Sequence, residues 1–283
     1  MEWLDAFILG LVQGLAEYLP VSSSGHLQIF REILGVDLPN NVSLEFDIIL
    51  HAATVLSTIV VLWPLFKRLC VSFFTFKQNE DFYYVCKILV SCIPIAFVGF
   101  AFKDYIEEAF NNLLVVGICL CVTAALLCFA HLSDRTKNGK LVGPENGRNI
   151  NWIDAFIIGC GQALAVLPGL SRSGTTIATG IMLGDKRSKV ASFSFLMVII
   201  PILGEALLDL FKMIWGRVPS AGPEGEQITI GVLIIGFFTA FIVGCAACRW
   251  MLTLVRRGKL AWFAIYCVAI GVICILWQTC VVK

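Results

Sequence analysis

Residues Trp3 to Gly25, WLDAFILGLVQGLAEYLPVSSSG, recur as WIDAFIIGCGQALAVLPGLSRSG from Trp152 to Gly174, identical at twelve of twenty-three positions after a shift of 149. Self-similarity at about half the chain length marks a duplicated unit. In an apolar chain it predicts a two-fold membrane architecture with its site between the repeats.

The chain is apolar: 58% of its 283 residues are hydrophobic and 14% charged, with a mean hydropathy of +0.86. That is too much apolar surface for a soluble globule of this length. A formal net charge of +1, with the basic residues in short clusters rather than one stripe, gives no reason to expect a nucleic-acid partner. Most of the twelve cysteines lie inside apolar runs, for example Cys119, Cys121, Cys128, Cys267 and Cys274, and read as small buried hydrophobes. The Cys245/Cys248 pair has no second pair or neighbouring histidine and reads as packing. No removable signal peptide is expected, because no basic region and cleavage site open the chain.

Six segments reach the ~20 apolar residues that a spanning helix needs: about 46–66, 84–102, 113–132, 189–213, 228–250 and 260–280. Three follow each copy of the repeat. The copies themselves are interrupted, one by Leu19-Pro20 and Ser22-Ser23-Ser24-Gly25, the other by Pro168-Gly169 and Ser171-Arg172-Ser173-Gly174. Proline, glycine and hydroxyl residues end one helix and start another there. The fold class expected is an all-α polytopic membrane protein built as an inverted-topology repeat. Repeat one covers approximately 1–132, a linker 133–151, and repeat two approximately 152–283, each repeat a re-entrant helix hairpin plus three transmembrane helices. The alternative is an ordinary kinked span in each copy, over 3–30 and 152–183.

With three spans per half, the second copy enters from the side opposite to the first. Fifteen basic residues then fall on one side, in segments carrying Lys67, Arg68, Lys77 and Lys87; Arg135, Lys137, Lys140 and Arg148; Lys186, Arg187 and Lys189; and Arg249, Arg256, Arg257 and Lys259. Five fall on the other: Arg31, Lys103, Lys212, Arg217 and Lys283. The positive-inside rule makes the first side cytoplasmic and puts both termini outside. Irregular backbone at membrane depth must be covered by protein or line a cavity, so the two turns are expected to meet near the midplane.

Hydroxyls and glycine at the start of a returning helix leave backbone N–H groups unpaired at its positive end, a ready anion site. Arg172, between Ser171 and Ser173, adds a planar fork that suits phosphate oxygens. In the first turn Gln13 and Glu17 share one helix face, and Ser23 and His26 follow the break, so carboxylate, hydroxyl and imidazole can converge. Intramembrane ionisable groups are functional candidates by default, and an imidazole beside a hydroxyl can take its proton. The plainer reading has the serines cap a helix, His26 bond a carbonyl and Glu17 pair with Arg172.

These residues resemble the undecaprenyl-diphosphate phosphatase family, the BacA-type bacitracin-resistance proteins. Gln13-Gly-Leu-Ala-Glu17 matches the family's motif of Glu or Gln, three residues, then Glu, and Pro20-Val-Ser-Ser-Ser-Gly-His26 follows it. Pro168-Gly-Leu-Ser-Arg-Ser-Gly-Thr-Thr176 matches P-G-x-S-R-S-G-x-T, and the similarity runs on through Phe46-Asp-Ile-Ile-Leu-His51 and Phe193-Ser-Phe-Leu. The resemblance implies removal of the terminal phosphate from undecaprenyl diphosphate in the bacterial cytoplasmic (inner) membrane, at a site reached from the outer face. The product is the carrier lipid for peptidoglycan.

It implies Glu17, Ser23, His26 and Arg172 as central residues and Gln13, Ser171, Ser173 and Thr176 as supporting ones. Ser22, Ser24, Gly25 and Gly174 complete the phosphate-binding turns. It also implies a divalent cation, Mg2+ or Ca2+, with Glu17 as a candidate ligand, and leaves a homodimer open. Ser23 activated by His26 is the expected nucleophile, with His26 itself, or a water it activates, as the variant. Gln13 is the neutral option at its motif position. Ala53 stands where the family often has glycine, leaving His51 and Thr54 without a role beyond packing.

A second class of function is transport of the lipid phosphate, since broken helices in inverted repeats are the plan of many secondary transporters. Glu205, with Asp209 four residues on, is then the candidate for proton coupling. Trp3, Trp63, Trp152, Trp215 and Trp250 read as interfacial anchors, and Asp5 and Asp154 as helix caps.

Overall fold

The computed structural model describes residues 1–36, 40–102, 105, 109, 112–136, 147–214 and 229–280. Among the described residues there are twelve helices and no strand. They are α1 Trp3–Ala16, α2 Ser23–Leu34, α3 Asn40–Val61, α4 Trp63–Phe74, α5 Glu80–Ala101 and α6 Leu113–Thr136, followed by α7 Trp152–Leu164, α8 Arg172–Leu183, α9 Arg187–Met197, α10 Ile199–Ile214, α11 Ile230–Arg256 and α12 Ala261–Cys280. Five stretches are long and apolar enough to cross a bilayer: α5, α6, α11, α12, and α9 running into α10 as far as Gly204. A sixth is present if α3 and α4 form one broken span. The protein is an all-helical, multi-pass membrane protein.

That sixth segment differs from expectation. The apolar run 46–66 is bent by 90° between Val61 and Trp63. Pro64 has no N–H to offer the carbonyl four residues back, and its ring clashes there, so the helix stops and restarts with proline in its first turn. Pro201 acts the same way between α9 and α10. It leaves Met197 O without its helical donor, and Cys92 Sγ lies 3.8 Å away in its place.

The two repeated segments form short helices, 14 residues in α1 and 13 in α7. At 1.5 Å per residue each is about 20 Å long, short of the ~30 Å hydrocarbon core. Their starts are built alike. Asp5 accepts from the Glu2 N–H at 2.7 Å, and Asp154 from the Asn151 N–H at 3.2 Å, so both act as the expected caps.

Each short helix packs against the other half of the chain. Gly10 abuts Gly236, and Gly14 abuts Ala240 and Gly244, so α1 and α11 point the same way. Lys87 Nζ donates to Ile150 O at 2.8 Å while Gly159 abuts Ser91, so α5 and α7 also point the same way. Under the shift of 149, α7 is the counterpart of α1 and α11 of α5. Between these pairs, α6 and α12 cross closely at Gly117 and Gly271, small residues of the kind that let membrane helices approach. Trp152 lies beside Arg256, at the C-terminal end of α11, whereas the run of α1 along α11 puts Trp3 toward the opposite end.

Arg68, Lys87, Lys189 and Arg256, drawn from three of the basic segments, line one cavity together with Asn149 and Ile150 from the segment between the halves. All twelve cysteines are free of disulfides; Cys119, Cys267 and Cys274 are buried as expected, whereas Cys121 is half-buried and Cys128 lies exposed on the outer face of its helix. Residues 137–146 of the linker and Trp215 lie outside the described residues, as do the side chains of Glu205 and Asp209.

Candidate functional site

The first turn, residues 17–22, is pinned from below by Tyr18. Its hydroxyl lies 2.6 Å from Thr54 O, 2.6 Å from Ser57 Oγ and 2.8 Å from Thr58 Oγ1, all on α3. Ser22 then turns the chain with φ 72°, a left-handed conformation that non-glycine residues adopt rarely and that clusters at functional sites. Ser22 caps α2, accepting from the Gly25 N–H at 3.4 Å. In the second turn Ser171 caps α8, accepting from the Gly174 N–H at 3.1 Å. The second hydroxyl along is also matched: Ser22 and Ser24 Oγ atoms lie 3.4 Å apart, and so do those of Ser171 and Ser173.

The turns touch. Ser173 Oγ donates to Leu19 O at 3.1 Å. A Cβ on Gly25 would meet Gly169 Cα at 3.1 Å, and one on Gly174 would meet Pro20 Cβ at 3.1 Å. Glycine at both positions lets the two turns approach this closely. Two helix N-termini, α2 and α8, therefore lie side by side. The N–H groups in the first turn of a helix have no intrahelical acceptor, so the pair offers backbone donors and positive dipole ends to an anion.

Glu17 is the hub of the first turn. Its Oε2 accepts from Ser23 Oγ at 2.7 Å and from Gln13 Nε2 at 3.1 Å. Arg172 lines the same small cavity as Glu17, Tyr18, Thr54, Thr58, Ser173 and Ser194, with a volume of about 10 Å³, room for roughly one water. Its Nη1 is buried without a partner, as is Gln13 Oε1. A buried guanidinium nitrogen left unpaired beside a carboxylate and two helix N-termini is an open donor suited to an oxygen ligand. Thr176 directs its hydroxyl back to Arg172 O at 2.8 Å and so steadies α8 instead of presenting a donor to the turn.

His26 takes the plainer of its two expected places, on a backbone carbonyl, and not the one beside the Ser23 hydroxyl. Its Nδ1 lies 2.9 Å from Ser22 O, an atom that can only accept, so Nδ1 carries the proton. Its Nε2 lies 2.8 Å from Tyr266 Oη on α12. Neither nitrogen is hydrogen-bonded to Ser23 or Glu17. The imidazole nearest the carboxylate belongs to His51, whose Nε2 is 4.0 Å from Glu17 Oε2 and whose Nδ1 bonds Asp47 O at 2.8 Å. The sequence did carry a signal for His51, an ionisable side chain within an otherwise apolar stretch. Tyr266 gave none, being one aromatic among many.

Comparisons with known proteins agree with one another. Residues 6–273 match the family model described as bacitracin resistance protein BacA. The chain is 52% identical over 277 residues to a protein of Bacteroides fragilis named undecaprenyl-diphosphatase, covering 98% of both chains. Proteins of the same name show 50% identity over 276 residues in Parabacteroides distasonis, covering 97% of this chain and 98% of the relative, and 34% over 279 residues in Oceanobacillus iheyensis, covering 96% and 95%.

Proposed function

The chain belongs to the bacitracin resistance protein BacA family, and from that premise we infer that it hydrolyses undecaprenyl diphosphate to undecaprenyl phosphate and inorganic phosphate. It is a membrane hydrolase that returns the carrier lipid to cell-wall synthesis and so counters bacitracin. The observation that carries the chemistry is the Ser23–Glu17 hydrogen bond of 2.7 Å across the first turn, from the start of α2 to the C-terminal end of α1, with the N-terminus of α8 alongside.

Ser23 Oγ is the nucleophile in this mechanism. Glu17 accepts the hydroxyl proton as Oγ bonds the terminal phosphorus, and the bridging oxygen leaves with the lipid monophosphate, taking the electron pair of the broken P–O bond. The proton passes to the departing phosphate. Glu17, ionised again, then takes a proton from a water whose oxygen bonds the phosphorus as the P–Oγ bond breaks, and returns that proton to Ser23 Oγ, which releases inorganic phosphate and restores the resting pair. Arg172 and the first-turn N–H groups of α2 and α8 neutralise the phosphoryl oxygens, where most of the catalytic stabilisation of such transfers lies. His26, its Nδ1 committed to Ser22 O, holds the strained turn that presents Ser23.

The residues present fit a divalent cation. The buried, unpartnered Gln13 Oε1 sits on the residue that already bonds Glu17, and together they offer two oxygen ligands. Mg2+ commonly binds through one or two carboxylates plus substrate phosphates. When bound, such an ion neutralises charge on the phosphate oxygens.

The fold reading that accompanies this function is the inverted repeat, with residues 1–132 and 152–283 as its halves and α1–α2 and α7–α8 as re-entrant hairpins. Supporting it are the shortness of α1 and α7, the exchange of packing partners between halves, and the opposite positions of Trp3 and Trp152 along α11. With the basic face in the cytoplasm, the first hairpin dips in from outside and the site is reached from the outer leaflet. A homodimer plays no part in this mechanism. The transport reading is not favoured: the Ser23–Glu17 pair is a chemical device with no counterpart in the second turn, where Val166 and Arg172 stand.

Purified protein in detergent is expected to release inorganic phosphate from undecaprenyl diphosphate, and an Arg172→Ala variant that folds is expected to release none. Equal release by that variant, or none by the parent protein with Mg2+ or Ca2+ supplied, would overturn the reading.

A further inference from the structure

On the basic face, far along α11 from Trp3, lies a cavity of about 520 Å³ between the ends of α4, α5, α7, α9 and α11. Its walls carry four cations, Arg68, Lys87, Lys189 and Arg256, against two carboxylates, Glu80 and Asp81. The cations are not equally engaged. Arg68 Nε pairs with Asp81 at 2.8 Å, and Lys87 bonds Ile150 O and stands over the Trp152 ring. Lys189 and Arg256 are exposed and have no ion pair or hydrogen bond from their side chains among the described residues. Two unneutralised cations therefore face one concave space.

The backbone adds to this. α9 starts in the wall with Lys186 as its N-cap, and no side chain closes its first turn, which includes Ser188 and Lys189. Its positive end suits an anion. Tyr84 is a wall residue whose ring packs edge-on against the buried Phe193. Tyr83, Trp152 and Leu65 supply the apolar and aromatic edge found at head-group depth. The space exceeds what one phosphate ion needs and matches the scale of small-molecule sites.

We propose that this cavity binds the phosphate of an anionic phospholipid head group at the cytoplasmic membrane surface, with Lys189 and Arg256 as its principal charge partners. Basic pockets between transmembrane helices on that side recognise such head groups through charge and hydrogen bonding together. The site is separate from the turns at Glu17 and Arg172, with which it shares no residue. Lipid seated there would tie α4, α9 and α11 together where the chain re-enters the second half.

The test uses native mass spectra of the full chain in detergent, titrated with cardiolipin, phosphatidylglycerol or phosphatidylcholine. Lipid adducts are expected with the two anionic lipids and not with phosphatidylcholine. The exposed pair Lys189→Ala/Arg256→Ala is expected to weaken anionic adducts by at least ten-fold while phosphate release in neutral detergent stays at the parent level, which shows that the variant is folded. Undiminished adducts in the double variant, or equal adducts with phosphatidylcholine, would overturn the proposal. Displacement of the lipid by inorganic phosphate would assign the site to the free ion and overturn the lipid assignment.

Discussion

Ser23 Oγ donates a 2.7 Å hydrogen bond to Glu17 Oε2 across the first turn, and neither nitrogen of His26 shares in it. A carboxylate that holds the hydroxyl proton is placed to remove it. Glu17→Gln preserves size and can still hydrogen-bond Ser23, so its effect isolates the charge. Loss of a general base costs about 10²- to 10⁴-fold, and we expect kcat for phosphate release to fall by that amount. Ser23→Ala should fall at least as far. The double variant should be no worse than Ser23→Ala alone, because the two side chains act as one unit. Additive losses would separate them.

His51 and His26 divide differently from what the motif suggests. His51 Nε2 lies 4.0 Å from Glu17 Oε2, beyond hydrogen-bond distance, so it shares no proton directly with the Ser23–Glu17 pair. His51→Gln is therefore expected to lower kcat/KM by about ten-fold or less, against about 10²- to 10⁴-fold for loss of the base. Tyr266→Phe removes the partner of His26 Nε2, a hydrogen bond of about 1 kcal/mol net, and should lower Tm while leaving kcat within about three-fold. A collapse of kcat in Tyr266→Phe with Tm intact would return His26 to the chemistry.

The breaks in both repeats were legible because their chemistry is local. Pro20 and Ser22, and Gly169 and Ser171, sit within three residues of each other, and turn geometry depends on neighbours along the chain. The bend at Leu62 could have been read from Pro64, yet the apolar run continues through Trp63 to Phe66 and hydropathy outweighed the proline. The partners of the site residues were not legible. Tyr266 is 240 positions from His26, and His51 is 34 from Glu17. Which imidazole meets which carboxylate is fixed by how α3 and α12 pack on the first turn, and periodicity within one helix carries no trace of that.

Arg172 tests the second turn. Its Nη1 is buried and unpartnered, so the guanidinium is held ready for an oxyanion before substrate arrives. Arg172→Lys keeps the charge and loses the planar fork, and the two residues are not interchangeable at a bidentate site. We expect kcat/KM to fall by roughly 10²-fold, equivalent to about 3 kcal/mol, with an unchanged melting temperature. Parent-level activity in this variant would mean that only a point charge is needed.

Close packing between the halves should show in stability. A Cβ on Gly159 would lie 2.3 Å from Ser91 O and 2.8 Å from its Cα, and backbone cannot swing aside as a side chain can. Gly159→Ala is expected to cost at least about 1–3 kcal/mol, the range for overpacking a close-fitted contact, seen as a lower Tm in detergent. Gly204, where an added methyl group would meet nothing within 4 Å, is the control. Gly204→Ala should be neutral or slightly stabilising, since alanine is the better helix former. Equal shifts in the two variants would show that α5 and α7 are not in contact at this point.

The last prediction concerns the division of labour between the two copies. At the shift of 149, Glu17 corresponds to Val166, Ser23 to Arg172 and His26 to Thr175. In the first turn the carboxylate at the helix end meets a hydroxyl across the break. The corresponding positions in the second turn hold Val166 and Arg172, so a carboxylate placed there has no hydroxyl of the Ser23 kind to activate, and its charge offsets that of the group that should receive the phosphate. Val166→Glu is therefore expected to lower phosphate release in the parent protein and to leave a Glu17→Ala variant inactive. Restored release in Glu17→Ala/Val166→Glu would show that either turn can supply the base, and that the two copies differ less in chemistry than in sequence.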